Sequence, residues 1–491
     1  MREVFAASRE RRTMSMRRNF VREGAFWLAA LDVVCLVAAV AAGIIIRGWL
    51  GPSLGLVPLE NSVGDYFSGH MDGWFLFCAA IVVGNYVGGN YSLQSTVYRF
   101  NLLVNWLFSL AIGLLVISVT SLAWFEMLLG RGVLLFAIVA YAAFTLGAKA
   151  LVYEILPKSS MFVCRTVVLG TGKNAQAVRK MVEGGYVIPR HVVCGYISIF
   201  DGPGDIPSDI DGAPVVKTTA NKLAEVASGM NPDIIIMGSG SRDDMMACFP
   251  ALWKLRFGGV EVLDLLGAVE LYNGRVPLEL VDEAWLMQAS MAPSMAVVRR
   301  VKRLFDVAVT ALMSLILAPA GLAVALLVKL SAPFSPMLYA QDRVGQFGKI
   351  FRMYKFRTMI VNAEAPGQEV WSPNNDPRVT RVGRLLRKFR LDEIPQVWNV
   401  LRGDMSLVGP RPERPGIVAD LERRIPNYRE RENVPPGITG WAQVRYTYVN
   451  TVDDVARKLE FDLYYIKTLS IRLDFQILLR TIRIVVFGME R

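Results

Sequence analysis

The stretch Arg299-Arg300-Val301-Lys302-Arg303 opens an apolar run at 304–330, and Ala318-Pro319-Ala320-Gly321 interrupts that run near its middle. The run is long enough to cross a bilayer. Proline removes a backbone donor and kinks a helix, so Pro319 divides it. Lys329, Arg343, Lys349 and Arg352 come next. Both flanks are therefore basic, and basic flanks collect on the cytoplasmic side. The economical reading is a re-entrant helical hairpin that enters one leaflet and returns. The alternative is an ordinary kinked transmembrane helix, which would carry everything after residue 331 across the membrane.

Outward from that run, the N-terminal side is also apolar. Six arginines (Arg9, Arg11, Arg12, Arg17, Arg18, Arg22) precede a run at 25–46, and further runs lie at about 73–89, 102–125 and 132–152. The first is too long for a signal-peptide core and lacks a clear cleavage site, so it reads as a retained anchor with its basic arm in the cytoplasm. Four crossings return the chain to that side, where Lys149, Lys158 and Arg165 fit. Asp32, inside the first run, is a functional candidate by default; helix packing or a headgroup contact explains it as well.

The whole chain has 491 residues, 53% hydrophobic, with 54 Lys+Arg against 43 Asp+Glu, a net charge of +11. Such a balance suits anionic partners, although positive-inside topology alone produces the same excess. The basic residues flank apolar segments, and no helix-turn-helix, zinc or RNA-binding signature is present, which argues against nucleic acid as a partner. Only His70 and His191 are histidines, far apart, so a His-based metal site or a Ser-His-Asp triad is not expected. Cys35, Cys78, Cys164, Cys194 and Cys248 have no metal-ligand spacing and read as small hydrophobes in a reducing compartment.

From about residue 162 the pattern changes to short apolar strands at 165–170, 192–198, 233–238 and 260–265, with helical stretches between them. That alternation predicts a parallel, doubly wound sheet. Gly170-Thr171-Gly172-Lys173-Asn174-Ala175 sits between the first strand and its helix. This is the Gly-x-Gly-x-x-Ala position of a dinucleotide turn, so Gly170, Gly172 and Ala175 are candidate nucleotide-binding residues in a Rossmann-like domain. A tight turn that binds nothing is the alternative. Asp201 could meet a ribose but lies farther along than usual. A Tyr-x-x-x-Lys pair is missing, which speaks against a membrane-anchored nucleotide-sugar dehydratase or epimerase.

The last third carries four short motifs: Lys355-Phe356-Arg357-Thr358-Met359; Arg384 to Gln396, containing Arg387, Asp392, Glu393 and Pro395; Gly403 to Pro412, containing Arg411; and Pro436 to Val444. Asp392 reads as a helix N-cap with Pro395 in the first turn, where the helix dipole and nearby guanidinium groups favour ionised carboxylates. An ionised aspartate can attack phosphorus, arginines can clamp phosphate oxygens, and a divalent cation can neutralise a diphosphate. The amphipathic stretches at 461–469 and 473–487, with Arg472, Arg480 and Arg483, suit either a helix lying on an anionic membrane or packing on the catalytic core.

Taken together, these motifs resemble the polyprenyl-phosphate glycosyl-1-phosphate transferases, the bacterial sugar transferases, from about Lys302 to the C-terminus. The front half looks like the large, exopolysaccharide-initiating branch. The resemblance implies attack by Asp392 on the β-phosphorus of a UDP-sugar, release of UMP, and transfer to undecaprenyl phosphate. Glu393 would aid Mg²⁺ binding or proton handling, with Asp392 and Glu393 as the metal carboxylates. Lys355, Arg357, Arg387 and Arg411 would meet phosphates, and Arg445 could do so too. Lys302, Arg303 and Asp306 would anchor the hairpin at the membrane surface, with Pro319 as its break. The fold class expected is membrane α plus α/β: a cytoplasmic arm and four-helix transmembrane domain at 1–158, a Rossmann-like domain at 159–290, and a catalytic domain at 291–491. The expected location is the bacterial cytoplasmic membrane, with the catalytic domain facing the cytoplasm and a homodimer possible. A non-catalytic polysaccharide-assembly scaffold is the remaining rival.

Overall fold

A computed structural model describes residues 29–51, 53, 69–87, 90, 104, 106–115, 118, 131–155, 163–183, 190–199, 208–238, 242–290, 295–361, 363, 376–446 and 451–487. The arginine-rich N-terminal arm and Asp201 lie outside them. The chain divides into two compact units, Met1–Asn273 and Gly274–Arg491.

The first unit begins with four apolar helices: α1 (Ala29–Leu50), α2 (Met71–Val87), α3 (Trp106–Leu115) and α4 (Arg131–Ile155). Among the described residues of this unit, α1 alone is long and apolar enough to cross a membrane. The four pack through Leu36, Ile44, Phe77, Ile81, Trp106 and Tyr141. Small residues set their approach: a Cβ on Gly43 would stand 2.6 Å from the backbone nitrogen of Ala137, and one on Gly84 2.4 Å from the Ser109 carbonyl. Polar side chains add glue, with the Asn85 amide donating to the Tyr141 hydroxyl at 2.8 Å and Trp106 Nε1 to Thr145 Oγ1 at 3.1 Å. Asp32 is buried in this bundle. Val34, Val37, Phe75 and Leu135 are exposed.

The same unit then forms a six-stranded sheet from β1 (Val163–Leu169), β2 (Arg190–Ser198), β3 (Asp209–Ile210), β4 (Ala213–Lys217), β5 (Ile234–Met237) and β6 (Glu261–Leu263). Its order is β3-β4-β2-β1-β5-β6, parallel except for β3. The expected parallel sheet is thus present; the short β3–β4 ribbon was too brief to show a pattern. Helices α5 (Lys173–Glu183) and α8 (Leu265–Asn273) contribute to one apolar layer with Val168 and Tyr196. Helices α6 (Leu223–Gly229) and α7 (Arg242–Phe257) contribute to the other with Val167 and Ile235. The five cysteines are free thiols.

The second unit starts at Gly274. Trp441 Nε1 donates to the Gly274 carbonyl at 2.7 Å, and Arg275 pairs with Glu460 at 2.6 Å. These contacts tie the segment that includes α9 (Glu283–Ser290) to the C-terminal unit. Helix α10 (Met295–Ser331) follows, bent by 61° between its arms Val297–Leu315 and Leu317–Ser331. The break falls one turn ahead of Pro319, where the ring meets the carbonyl four residues back. On the second arm Val324 and Val328 pack on Phe356 and Leu386. Leu304, Leu312, Leu315, Leu322 and Leu330 remain exposed.

The remaining frame is an antiparallel hairpin, β7 (Leu338–Val344) with β8 (Ile350–Phe356), and a parallel pair, β9 (Ser406–Val408) with β10 (Gly437–Thr439). Helices α11 (Arg381–Lys388), α12 (Gln396–Arg402), α13 (Pro415–Arg424), α14 (Trp441–Arg445), α15 (Val452–Lys467) and α16 (Ile471–Phe487) complete it.

Candidate active site

Four short elements bring the motif residues to one cavity of about 1020 Å³. Strand β8 ends with Lys355 and Phe356, and Arg357 and Thr358 continue from it. Helix α11 presents Arg387 in its last turn; Thr380 caps its start by accepting from the Gly383 amide at 2.9 Å. A 3₁₀ turn at Leu391–Glu393 carries the two carboxylates. The loop after β9 carries Arg411. That loop is fixed by glycine, because a Cβ on Gly409 would lie 2.3 Å from the Pro435 carbonyl and one on Gly437 2.0 Å from the Gly409 nitrogen. The Gly-Pro-Arg-Pro and Pro-Gly motifs therefore meet through bare backbone.

Asp392 is not the N-cap expected. Arg390, in the left-handed region at φ 52°, starts the 3₁₀ turn, and Pro395 occupies the N-cap position of α12. A non-glycine residue in that region is strained, and such strain gathers at functional sites. Without the helix dipole along its axis, Asp392 is governed by burial. Desolvation raises its carboxyl above the usual aspartate range, against the pull of Lys355 and Arg387. Of the two carboxylates, Asp392 is the one whose burial works against its charge.

Glu393 behaves oppositely. Burial alone would raise it, but Arg411 and Lys355 overcome that and hold it well below the usual carboxylate range. Arg411 donates to Oε1 at 2.9 Å and Lys355 Nζ to the same oxygen at 3.1 Å, while Arg390 stands 3.8 Å from Oε2. Burial lowers the Lys355 ammonium, and Glu393 opposes that shift. Two adjacent acids therefore have opposite electrostatic settings: one bound into a cation nest, one buried and less committed to its charge. Arg387 uses its Nε on Thr358 Oγ1 at 2.9 Å. Arg357 lines the cavity with a buried Nε that has no hydrogen-bond partner among the described residues.

Other expected residues fall elsewhere. Arg445 does not line the cavity; its guanidinium lies 5.1 Å from the Trp441 ring centre, beside Arg480 at 5.2 Å from the same ring. Lys302, Arg303 and Asp306 are anchors, but into protein. Lys302 Nζ is buried 2.6 Å from Asp474, Asp306 accepts from Ser406 Oγ at 2.7 Å, and Arg303 donates to the carbonyls of Val400 and Leu401 at 2.6 and 2.9 Å. Lys302 and Asp306 are buried and Arg303 is half-buried, and each is paired within the protein. Pro319 is exposed beside the helix break. In the first unit, Gly170 takes φ 98°, a Cβ on Gly172 would meet nothing within 4 Å, and Ala175 lies against Gly238. The turn after β1 therefore has the strand-to-helix geometry expected, with an open face at Gly172.

Several contributors escaped sequence reasoning. Tyr339, Gln341 and Arg343 alternate along β7 and line the cavity, a period-two signal visible in the sequence. Arg343 donates to the Pro412 carbonyl at 2.9 Å and to Gln341 Oε1 at 2.7 Å; burial pushes it down to about 10. Asn399, fully buried, donates to the Arg352 carbonyl at 2.7 Å and accepts from the Tyr354 amide at 3.1 Å, setting β8 against α12. Asp474 gave no local signal, since its partner is 172 residues away.

Among the described residues no group of three or more His, Cys, Asp or Glu side chains gathers to hold a metal. Asp392 and Glu393 supply two carboxylates. Mg²⁺ commonly takes one or two carboxylates and completes its shell with water and substrate phosphates, so the pair fits an ion arriving with a diphosphate.

Residues 297–488 match the model of the family described as bacterial sugar transferase. The chain is 43% identical over 219 residues to a UDP-N-acetylgalactosamine-undecaprenyl-phosphate N-acetylgalactosaminephosphotransferase of Aeromonas hydrophila, covering 45% of this chain and 51% of that protein. It is 36% identical over 263 residues to an undecaprenyl-phosphate glucose phosphotransferase of Komagataeibacter xylinus, covering 50% and 49%. The matches thus span about half the length of these two relatives. A longer match, 31% over 352 residues, joins it to an undecaprenyl-phosphate galactose phosphotransferase of Salmonella typhimurium and covers 69% of this chain and 71% of that one. With the cation-lined carboxylate turn inside the matched region, and two-thirds of both chains aligned in the longest of these matches, the protein belongs to the bacterial sugar transferase family.

Proposed function

We propose that this protein transfers a hexose-1-phosphate from a UDP-sugar to undecaprenyl phosphate, as the first membrane step of exopolysaccharide or capsule repeat-unit synthesis. The observation that carries the reading is the buried Asp392 in a cavity walled by Lys355, Arg387, Arg390 and Arg411. In its ionised form, a carboxylate oxygen of Asp392 forms a bond to the β-phosphorus. The bond from that phosphorus to the bridging oxygen breaks, and UMP leaves with the oxygen. A phosphate oxygen of undecaprenyl phosphate then attacks the same phosphorus, and the aspartate leaves with its bonding pair. Arg411 and Lys355 draw phosphate charge while Glu393 keeps them in place. Mg²⁺ at Asp392 and Glu393 would neutralise diphosphate charge when bound.

The four apolar helices are read as membrane crossings that place both following domains on the cytoplasmic side of the inner membrane. The bent α10 is read as a re-entrant helix, its exposed leucines in one leaflet. The turn at Gly170, Gly172 and Ala175 is read as a nucleotide-responsive or assembly element, with a homodimer as the assembled form. Supporting the membrane readings are the apolar outer faces of the helices and the 61° bend.

The test is to incubate purified protein with a panel of UDP-sugars and undecaprenyl phosphate, following UMP release and the mass of the intact chain. A sugar-phosphate adduct on Asp392, absent in Asp392→Asn, supports the reading. Turnover by Asp392→Asn near the wild-type rate rejects it.

A further inference from the structure

Charged groups crowd one part of the cavity lining, yet the lining also includes Ile360 and Val361 from the segment after β8, and Ile484 and Val485 from α16. Ile360 is 56% exposed, Val361 50% and Val485 39%. Aliphatic side chains this open beside a cationic site need a reason, since exposed apolar groups gathered in one place mark a binding surface.

A UDP-sugar gives none. Its uracil, ribose and hexose present hydrogen-bonding groups, to which isoleucine and valine offer neither donor nor acceptor. The polar face of β7, with Tyr339, Gln341 and Arg343, suits that ligand better. An amphiphile matches both kinds of wall at once, with its phosphate among the arginines and its hydrocarbon against the aliphatic groups. The proposed acceptor is such a molecule.

We infer that Ile360, Val361, Ile484 and Val485 form an apolar lip that seats the phosphate-proximal isoprene units of the polyprenyl acceptor. This rests on the proposed function and adds a subsite to it. On this view the lip selects the acceptor by chain as well as by phosphate. An isoprene unit carries five apolar carbons, so seating even one or two units out of water favours a long acceptor by more than about tenfold over one with no chain to reach the lip.

The experiment uses the full-length protein in lipid nanodiscs and separates the two half-reactions. UMP release in a single turnover without acceptor reports the donor step. Transfer to an eleven-isoprene phosphate and to methyl phosphate, a short acceptor with no isoprene unit to reach the lip, reports the acceptor step. For Val485→Asp, and for the milder Val361→Ser, the loss of transfer to the long acceptor should exceed any loss in UMP release by at least tenfold. The preference for long over short acceptor should shrink accordingly. Equal losses in both half-reactions would show a lip that only braces the cavity and would overturn the inference. So would an unchanged preference for chain length, as expected if these side chains merely touch the bilayer. A wild-type protein that releases no UMP overturns the lip and the proposed function together, whereas normal release with an unaltered chain preference removes the lip alone.

Discussion

The turn after β1 and the turn before α12 both lead the chain into a helix, but they are built from different material. The first is made of backbone: Gly170 supplies the left-handed conformation and Gly172 leaves an open face. The second is made of side chains: two carboxylates, with Lys355, Arg390 and Arg411 around Glu393. A backbone site can hold an anion but has nothing to react with it. A side-chain site can hold it and supply a nucleophile, at the cost of a buried charge network that must stay complete.

The sharpest way to break this contrast is at the nucleophile. Asp392→Asn should lower UMP release by more than about 10³-fold, as removal of a covalent catalyst does. Gly172→Ala should stay within about twofold in the same assay, because its added methyl meets nothing. A large loss for Gly172→Ala would show that the backbone turn shares in the chemistry.

The next effect concerns completeness of the charge network. Lys302→Met leaves Asp474 and Asp306 buried without their cation, and breaking a buried pair this way costs about 3 kcal/mol. The thermal midpoint of the C-terminal unit should fall clearly, and Lys302→Arg should recover part of it. An unchanged midpoint would mean that this network stabilises little.

Smaller again is a pH effect in the first unit. His191 hydrogen bonds through Nδ1 to the Tyr272 hydroxyl, and burial lowers its pKa to about 4. Between that value and the unfolded value near 6.5 the unfolded chain binds the extra proton, so stability is full above the upper limit and declines as pH falls through the window. The decline should reach about 3 kcal/mol, and His191→Phe should flatten it when unfolding is followed across pH. A profile unchanged by the substitution would refute the assignment. Smallest of all, Gly170→Ala should cost about 1 kcal/mol, the penalty for placing a Cβ at positive φ, measurable by denaturant titration.

Much of this was legible in the sequence, for reasons that also mark the limit. Lys355, Arg387, Asp392, Glu393 and Arg411 sit in short ordered motifs, and the structure gathers all five at one cavity. The parallel sheet announced itself through alternating apolar runs. What the sequence could not show depends on distant partners. Arg303 reads as a basic residue at a membrane edge until the carbonyls of Val400 and Leu401 are found beside it. Arg445 follows a motif tryptophan, and its place near that ring, outside the cavity lining, is set by the fold rather than by local pattern. Asp392 looks like a cap because Pro395 is near; the left-handed Arg390 makes the turn tighter than local propensity suggests. The hydrogen bond from Trp441 to the Gly274 carbonyl joins positions 167 residues apart, which no local pattern announces.

Arg303 has a mechanical consequence. It grips the last carbonyls of α12, whose first residue comes three positions after Glu393. That seven-residue helix is a stiff rod of about 10 Å at 1.5 Å per residue. The bent helix and the carboxylate turn are thus opposite ends of one short lever with little slack. A displacement of the helix arm that carries Arg303 is passed to the turn of Asp392 and Glu393 through α12 rather than being absorbed by a loop.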